Sequence, residues 1–338
     1  MKKQEQEELR QLLSKPLKIV ITTHYKPDAD ALGSSLAMYN YLVKKGHEVL
    51  VVTPSDYPSF LNWMVGNDKV LIFDAGKQRS KKNAETAFEA ADVIFCLDFS
   101  AVERVQDLQD ILVNAQGVKI LIDHHLEPQH FAKYEMWDTK AAATAELVYD
   151  FINKMGDANL IDVPIAECIY AGIMTDTGSF RFPSTTAKVH LIIAELIKAG
   201  VNNHKIHSLV YDNNSEERLK FIGFALSERM KLIRKKKTAY FVISAADLSK
   251  FSSKTGDTEG LVNYALSIEG INFAALMVER PDAIKLSFRS RGEFSVNEFA
   301  RRYFEGGGHK NAAGGKSELD LLGTENKFLD ILNHTNII

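Results

Sequence analysis

Six residues of types that ligate divalent cations stand at the ends of apolar runs. His24, Asp28 and Asp30 follow residues 18–23; Asp98 closes the run 92–99; His124 follows Asp123, which closes 118–123; Asp176 follows the helix-like run 164–175. Each has an ordinary use: Asp28 or Asp30 as a turn former or helix N-cap, Asp98 as a surface carboxylate, Asp176-Thr177-Gly178 as a helix stop. Ordinary use does not account for all of them at element ends, with two His directly after an Asp. Brought together, these carboxylates would repel one another and raise some of their pKa values unless cations neutralised them. A carboxylate and imidazole set without thiolate suits Mn²⁺, with Mg²⁺, Fe²⁺ or Co²⁺ as alternatives. Two such ions about 3.5–4 Å apart, sharing one carboxylate, clamp a phosphoryl group for in-line attack. The chemistry expected is metal-assisted phosphoester hydrolysis.

The elements that must position these residues alternate. Short β-branched runs at 18–23, 48–53, 70–73, 92–99 and 118–123 are separated by helical patterns at 31–45, 83–91 and 102–114. Such alternation predicts an α/β domain with a mostly parallel sheet covered by helices on both faces. In such a sheet, ligands collect at the carboxyl ends of the strands, where four of the segments above converge. From 141 to 200 the pattern is mostly helical (144–155 and 164–175), with Asp162 as an N-cap. Residues 201–214 are polar and lead into an amphipathic helix at 216–233. A smaller α+β block follows: strands at 238–244, 273–279 and 284–290, helices at 261–267 and 296–304, and a glycine-rich run at 306–315. The expected division is a catalytic domain over 1–200, a connector and linker helix over 201–233, and a substrate-binding domain over 234–338, facing the first across a cleft.

Composition narrows the classes. At 338 residues, 45% hydrophobic and 25% charged, the chain is globular rather than disordered or collagenous, and long enough for about two domains. A formal charge of −3 argues against blanket neutralisation of a long duplex. The charge is unevenly spread: 19 Lys plus Arg face 16 Asp plus Glu in residues 216–338, and 22 face 28 in residues 1–215. Cys96 and Cys168 lie in apolar runs and read as buried free thiols in a reducing compartment. The leader MKKQEQEELRQLLSK has no apolar core, and no stretch approaches the roughly 18 apolar residues of a membrane span. The expected location is the cytoplasm, without membrane attachment.

The segments ITTHYKPDADALGSSLA, FCLDFS, LIDHH and AGIMTDTGSF resemble the four motifs of the DHH phosphoesterase superfamily, and FEGGGHKNAAGG resembles the signature of its DHHA1 companion domain. The five stand in family order from about residue 18 to 315. Within the superfamily the chain is similar to stand-alone bacterial oligoribonucleases that also act as pAp phosphatases. The resemblance implies one Mn²⁺ held by His24, Asp28 and Asp98 and a second held by Asp30, Asp98, His124 and Asp176, with Asp98 shared. Asp98, Asp123 and His125 are then the catalytic candidates, His125 either stabilising charge on the phosphoryl oxygens or protonating the leaving group.

Substrate-binding candidates gather in the second half. Gly307 and Gly308 allow backbone N–H groups to approach an anion, and His309 and Lys310 stand in the same run. The resemblance implies that this loop grips the nucleotide. Arg289 and Arg291 alternate along a strand and suit phosphate or base contacts. Arg181 follows the fourth motif and is a candidate for the scissile phosphate. Asn263 is a candidate on resemblance alone, Lys235–Lys237 reads as a solvated face, and His204 and His207 read as polar loop residues.

The function expected is hydrolysis of short single-stranded RNA or DNA oligonucleotides to mononucleotides, and of pAp to AMP. The alternatives are hydrolysis of a cyclic dinucleotide or its linear product, a family II type pyrophosphatase, and a non-catalytic nucleotide sensor. The glycine-rich run argues against the pyrophosphatase, and the complete ligand set against the sensor. A homodimer is left open.

Overall fold

Side chains along the first strands point alternately to two cores. Ile19, Ile21, Val51, Phe95, Leu97, Ile120 and Ile122 face one, while Val20, Val52, Ile94, Cys96 and Leu121 face the other. Strands apolar on both faces need helices on both faces. The computed structural model describes residues 2–254 and 256–335, and the chain divides into two compact units, residues 1–213 and 214–338.

In the first unit, helix α1 (Lys3–Leu12) precedes strand β1 (Lys18–Thr22), α2 (Ala29–Lys44), β2 (Glu48–Thr53), β3 (Leu71–Ile72), α3 (Gln78–Glu89), β4 (Val93–Leu97), α4 (Gln109–Asn114), β5 (Val118–Asp123) and β6 (Tyr134–Trp137). Four helices follow: α5 (Thr144–Met155), α6 (Val163–Asp176), α7 (Ala187–Lys198) and α8 (Asn203–Tyr211). All strand pairs are parallel, in the order β3-β2-β1-β4-β5-β6. The chain leaves β1 toward one edge and returns beside it at β4, so the direction of winding reverses between β1 and β4. That is where an open parallel sheet builds a ligand crevice. Helices α2, α5 and α6 cover one face; α3, α4 and a short helical segment before α4 cover the other.

The second unit holds α9 (Glu216–Phe224), β7 (Met230–Ile233), β8 (Thr238–Ile243), α10 (Ala245–Lys250), α11 (Leu261–Leu266), β9 (Phe273–Glu279), β10 (Ile284–Ser290), α12 (Val296–Tyr303), β11 (Gly307–His309), β12 (Ala312–Ser317) and α13 (Leu321–His334). Its sheet runs β11-β12-β10-β9-β8-β7 and is antiparallel except for β8 beside β9. Phe288, Phe299 and Phe328 fill the core under α12 and α13, and Phe221, Phe241 and Leu276 the core on the other face.

Several expected elements differ. The helix expected over 216–233 ends at Phe224, passes through a wide turn at Ala225–Arg229 and becomes β7, because Met230–Ile233 pairs with β8 across a turn that contains Lys235–Lys237. Of these, Lys236 is half-buried and donates to the Asn333 and Thr335 carbonyls rather than being solvated. The helix expected over 102–114 is interrupted at Gln106, whose φ is +51°. The glycine-rich run is a β-hairpin rather than an open loop. Both cysteines are free and buried, and burial pushes their thiols up, that of Cys96 to about 12. No helix among the described residues is long and apolar enough to cross a membrane.

Candidate metal centre and substrate-binding residues

At the carboxyl end of β1, the His24 Nδ1–H donates to the Tyr25 carbonyl at 2.9 Å, because a carbonyl can only accept. That leaves the Nε2 lone pair facing Asp98 Oδ2 at 3.4 Å. Asp28 caps α2: its Oδ1 accepts from the N–H groups of Asp30 and Ala31, each at 3.0 Å. The N-cap use is therefore real, and it does not remove Asp28 from the cluster, since one ligand atom each from His24, Asp28 and Asp98 lie within 4.8 Å of one another.

Asp98 follows β4 with φ at +67°, a left-handed conformation that costs a non-glycine residue about 1–3 kcal/mol and gathers at functional sites. It is buried, and its N–H donates to the Ile122 carbonyl. Past β5, the His124 Nδ1–H donates to the Ala141 carbonyl at 3.1 Å, and Nε2 faces Asp176 Oδ2 at 3.3 Å, Asp98 Oδ1 at 3.6 Å and Asp30 Oδ2 at 3.8 Å. Asp30, Asp98 and His124 form a second set within 4.8 Å. His125 Nδ1 lies 2.8 Å from Asp123 Oδ1 and 3.6 Å from Asp98 Oδ1. Asp123 is fully buried and its Oδ2 has no hydrogen-bond partner.

These contacts pass a chemical test for a cation. Two imidazole lone pairs, each oriented by a backbone carbonyl behind it, point at carboxylate oxygens, and acceptors facing acceptors need a positive charge between them. Without a metal ion a proton on the imidazole meets that need, and the titration directions show the same demand for positive charge. Burial and the charges of Asp98 and Asp176 push Asp30 well above the ordinary carboxylate range. Burial opposes charge on Asp98, but the hydrogen bond to His24 and the His125, His24 and His124 charges outweigh it and hold Asp98 low. Burial likewise opposes protonation of His24 and His124, yet the facing aspartates raise both. His24, Asp28, Asp30, Asp98, His124 and Asp176 thus share one cluster able to hold metal ions, buried at His24, Asp30, Asp98 and His124, half-buried at Asp176 and open to solvent at Asp28, with Asp123 and His125 beside it.

Two glycines inside helices let that cluster close. A Cβ on Gly172 of α6 would lie 2.7 Å from Asp30 Oδ1, and one on Gly33 of α2 would lie 2.6 Å from the Cys168 carbonyl. Glycine inside a helical pattern was the available signal for such close approach. Thr144, at the start of α5, donates its hydroxyl to Asp98 Oδ1 at 2.7 Å, and nothing local in the sequence marks it.

Beyond Asp176 the chain makes a left-handed turn, with φ of +56°, +61° and +64° at Gly178, Ser179 and Phe180. Ser179 Oγ hydrogen-bonds His207 Nε2 at 2.9 Å, and His207 Nδ1 donates to the Asn203 carbonyl. His204 and His207 are therefore helical rather than loop residues, and His207 clamps this turn. Arg181 is exposed on the turn, its Nε donating to the Gly178 carbonyl at 2.7 Å.

In the second unit, the glycines have internal uses. A Cβ on Gly308, whose φ is +148°, would lie 2.6 Å from the Ala312 carbonyl, and one on Gly315 2.7 Å from that of Phe304. The Gly308 N–H donates to the buried Asn297 Oδ1 at 2.9 Å, so it is not open to an anion, contrary to the reading of the run as a backbone cradle. Gly307 has no such crowding: its nearest neighbours would be Asn297 and Arg301 side-chain atoms at 3.5 and 3.6 Å. His309 lies in β11 and Lys310 in the following turn, paired with Glu293 at 2.7 Å. Arg289 is half-buried in β10, Arg291 is exposed just past it, and Asn263 is exposed on α11.

Residues 18–173 match the DHH family, N-terminal domain, and residues 235–336 the DHHA1 domain. The bifunctional oligoribonuclease and PAP phosphatase NrnA of Thermus thermophilus is 30% identical over 88% of this chain and 83% of its own length. The NrnA of Bacillus subtilis is 29% identical over 88% of each chain. The chain belongs to the DHH phosphoesterase family. A crystal structure described as an exopolyphosphatase-related protein from Bacteroides fragilis superposes on this DHH phosphoesterase with a TM-score of 0.92, at 37% identity, over 98% of this chain and 96% of that one. As a member of the family, the protein is a phosphoester hydrolase with an N-terminal DHH domain and a C-terminal DHHA1 domain.

Proposed function

We propose that this DHH phosphoesterase cleaves short single-stranded oligonucleotides to mononucleotides and removes the 3′-phosphate of pAp, using two divalent ions, Mn²⁺ by preference. The observation that carries the reading is the position of Asp98, whose two oxygens face different sets: Oδ2 faces His24, and Oδ1 faces His124 and His125. One ion would be held by His24, Asp28 and Asp98, and the other by Asp30, Asp98, His124 and Asp176. Bound there, such ions supply Lewis-acid stabilisation of the phosphoryl oxygens. His125, oriented by the contact of its Nδ1 with Asp123 Oδ1, would turn its Nε2 to the phosphoryl oxygens or the leaving group. Arg181, Arg289, Arg291, Gly307, Gly308, His309 and Lys310 are the substrate-holding candidates; for Gly308 the role is to shape the hairpin, since its N–H is engaged. The substrate class is supported by the names of relatives about 30% identical over 88% of the chain.

The test is a panel with Mn²⁺: a dinucleotide, a 5-mer, a long single strand, pAp, cyclic di-AMP and its linear form, pyrophosphate and polyphosphate. Faster turnover of dinucleotide, 5-mer and pAp is expected. Comparable cutting of the long strand would sink the short-substrate reading, and dominant polyphosphate turnover would favour the activity suggested by the Bacteroides fragilis description.

A further inference from the structure

Thr144 touches two carboxylates that arrive from different elements. It is fully buried as the first residue of α5. Its N–H donates to Asp30 Oδ2 at 2.7 Å, and its hydroxyl donates to Asp98 Oδ1 at 2.7 Å. The next N–H, from Ala145, donates to Asp30 Oδ1 at 2.9 Å. Asp30, carried by α2, thus caps the N-terminus of α5, for which Ala143 at the N-cap position has no side chain to offer.

The two hydrogen bonds of Thr144 do different work. The amide bond would form with any residue at this position except proline, so it belongs to the helix. The hydroxyl bond depends on the side chain. A carboxylate turns broadly about its Cβ–Cγ bond, with two nearly equivalent orientations. The backbone of Asp98, at φ +67°, places its Cα, while the Thr144 hydroxyl holds Oδ1 and thereby leaves Oδ2 toward His24. We propose that Thr144 is a positioning residue that fixes the orientation of the shared carboxylate Asp98, so that each oxygen serves one of the two cation sets. The inference rests on the two-ion reading of the site given above.

Thr144→Val removes the hydroxyl while keeping the branched shape, and Thr144→Ser keeps the hydroxyl while removing the methyl. Mn²⁺ binding is followed by calorimetry on the full-length protein, alongside kcat and KM for a dinucleotide and the thermal melt of the metal-free protein. Loss of a hydrogen bond behind a metal ligand typically weakens metal affinity about 10–100-fold. The Val variant is expected to weaken Mn²⁺ by that factor and to lose kcat with little change in KM, and the Ser variant to stay close to wild type. If the Val variant does not fold, Thr144→Ala takes its place in the same comparison. Wild-type affinity and kcat in the hydroxyl-free variant would overturn the proposal, as would a Ser variant as impaired as Val, which would make the methyl the important group. Absence of Mn²⁺ binding by the wild type is a separate result, and it would overturn the two-ion reading on which the proposal rests.

Discussion

The two units treat their polar groups in opposite ways. In the first, carboxylates and imidazoles, all buried but the half-buried Asp176, are aimed at one another across 3.3–3.8 Å, with backbone carbonyls and helix N–H groups fixing their directions. In the second, the charged candidates lie at or near the surface, Lys310 is already paired with Glu293, and the Gly308 N–H is held by Asn297. A buried, oriented cluster that needs a cation is preorganised for chemistry. An exposed group that must exchange one partner for another is suited to reversible holding. Substitutions in the first unit should therefore act on kcat, and those among the second unit's candidates on KM.

The largest effect is expected at Asp98. Replacing it with alanine removes the one carboxylate common to both sets, and loss of several kcal/mol of charge stabilisation corresponds to a fall in kcat of at least about 10³-fold. A discontinuous dinucleotide assay with saturating Mn²⁺ measures it. Turnover near wild type would break the contrast at its root.

Asp247 tests whether the second unit's ion pairs are mainly structural. Its two oxygens accept from Arg229 Nε and Nη2, each at 2.9 Å, and this pair, followed by hydrogen bonds from Ser244, holds its carboxyl below the usual range. A depressed folded pKa gives stability that is present above the unfolded value near 4 and is lost as pH falls through the folded value. Asp247→Asn should lower stability at pH 7 by about 1–2 kcal/mol, discounted because Arg229 is partly exposed. It should also flatten the acid side of the melting profile. Because neither Arg229 nor Asp247 is among the candidate site residues, kcat is expected not to move.

The glycines of β11 separate internal from external need within one strand. Gly308→Ala places a Cβ against the Ala312 carbonyl at a φ that side chains rarely adopt, a cost of about 1–3 kcal/mol seen as a lower melting temperature. Gly307→Ala meets only ordinary contacts and should shift stability by no more than about 0.5 kcal/mol. If the second unit holds substrate, the same change should raise KM. A stable Gly307→Ala protein with unchanged KM would remove Gly307 from the substrate-holding set.

What could be read from the sequence follows the same divide. The parallel sheet was legible because its strands are continuous apolar runs, and the cluster was legible because Asp98 and Asp123 close two of them. The strand β7 was hidden because Met230–Ile233 continues a pattern that also fits a helix, and only its partner β8 decides. Thr144 and Asn297 were hidden for a related reason: each matters through a contact to a residue 46 or 11 positions away. The hairpin of the glycine-rich run was misread as a loop because glycine signals close approach without saying what approaches. For Gly308 and Gly315 the approaching group is the protein's own backbone.

The smallest effects, and the sharpest for the holding role, concern Lys310. Its ammonium is paired with Glu293, which is almost fully exposed, so the pair adds little to folding and neither Lys310→Ala nor Glu293→Gln should change the melt. Their effects on KM should have opposite signs. A phosphate reaching Lys310 must first displace the Glu293 carboxylate, so Lys310→Ala should raise KM for a dinucleotide a few-fold, with a weaker dependence on salt. Glu293→Gln leaves the ammonium in place without its competitor and should lower KM, by less than the lysine change raises it. Parallel shifts in the two variants would mean that the ion pair itself shapes the turn and that Lys310 does not meet the substrate.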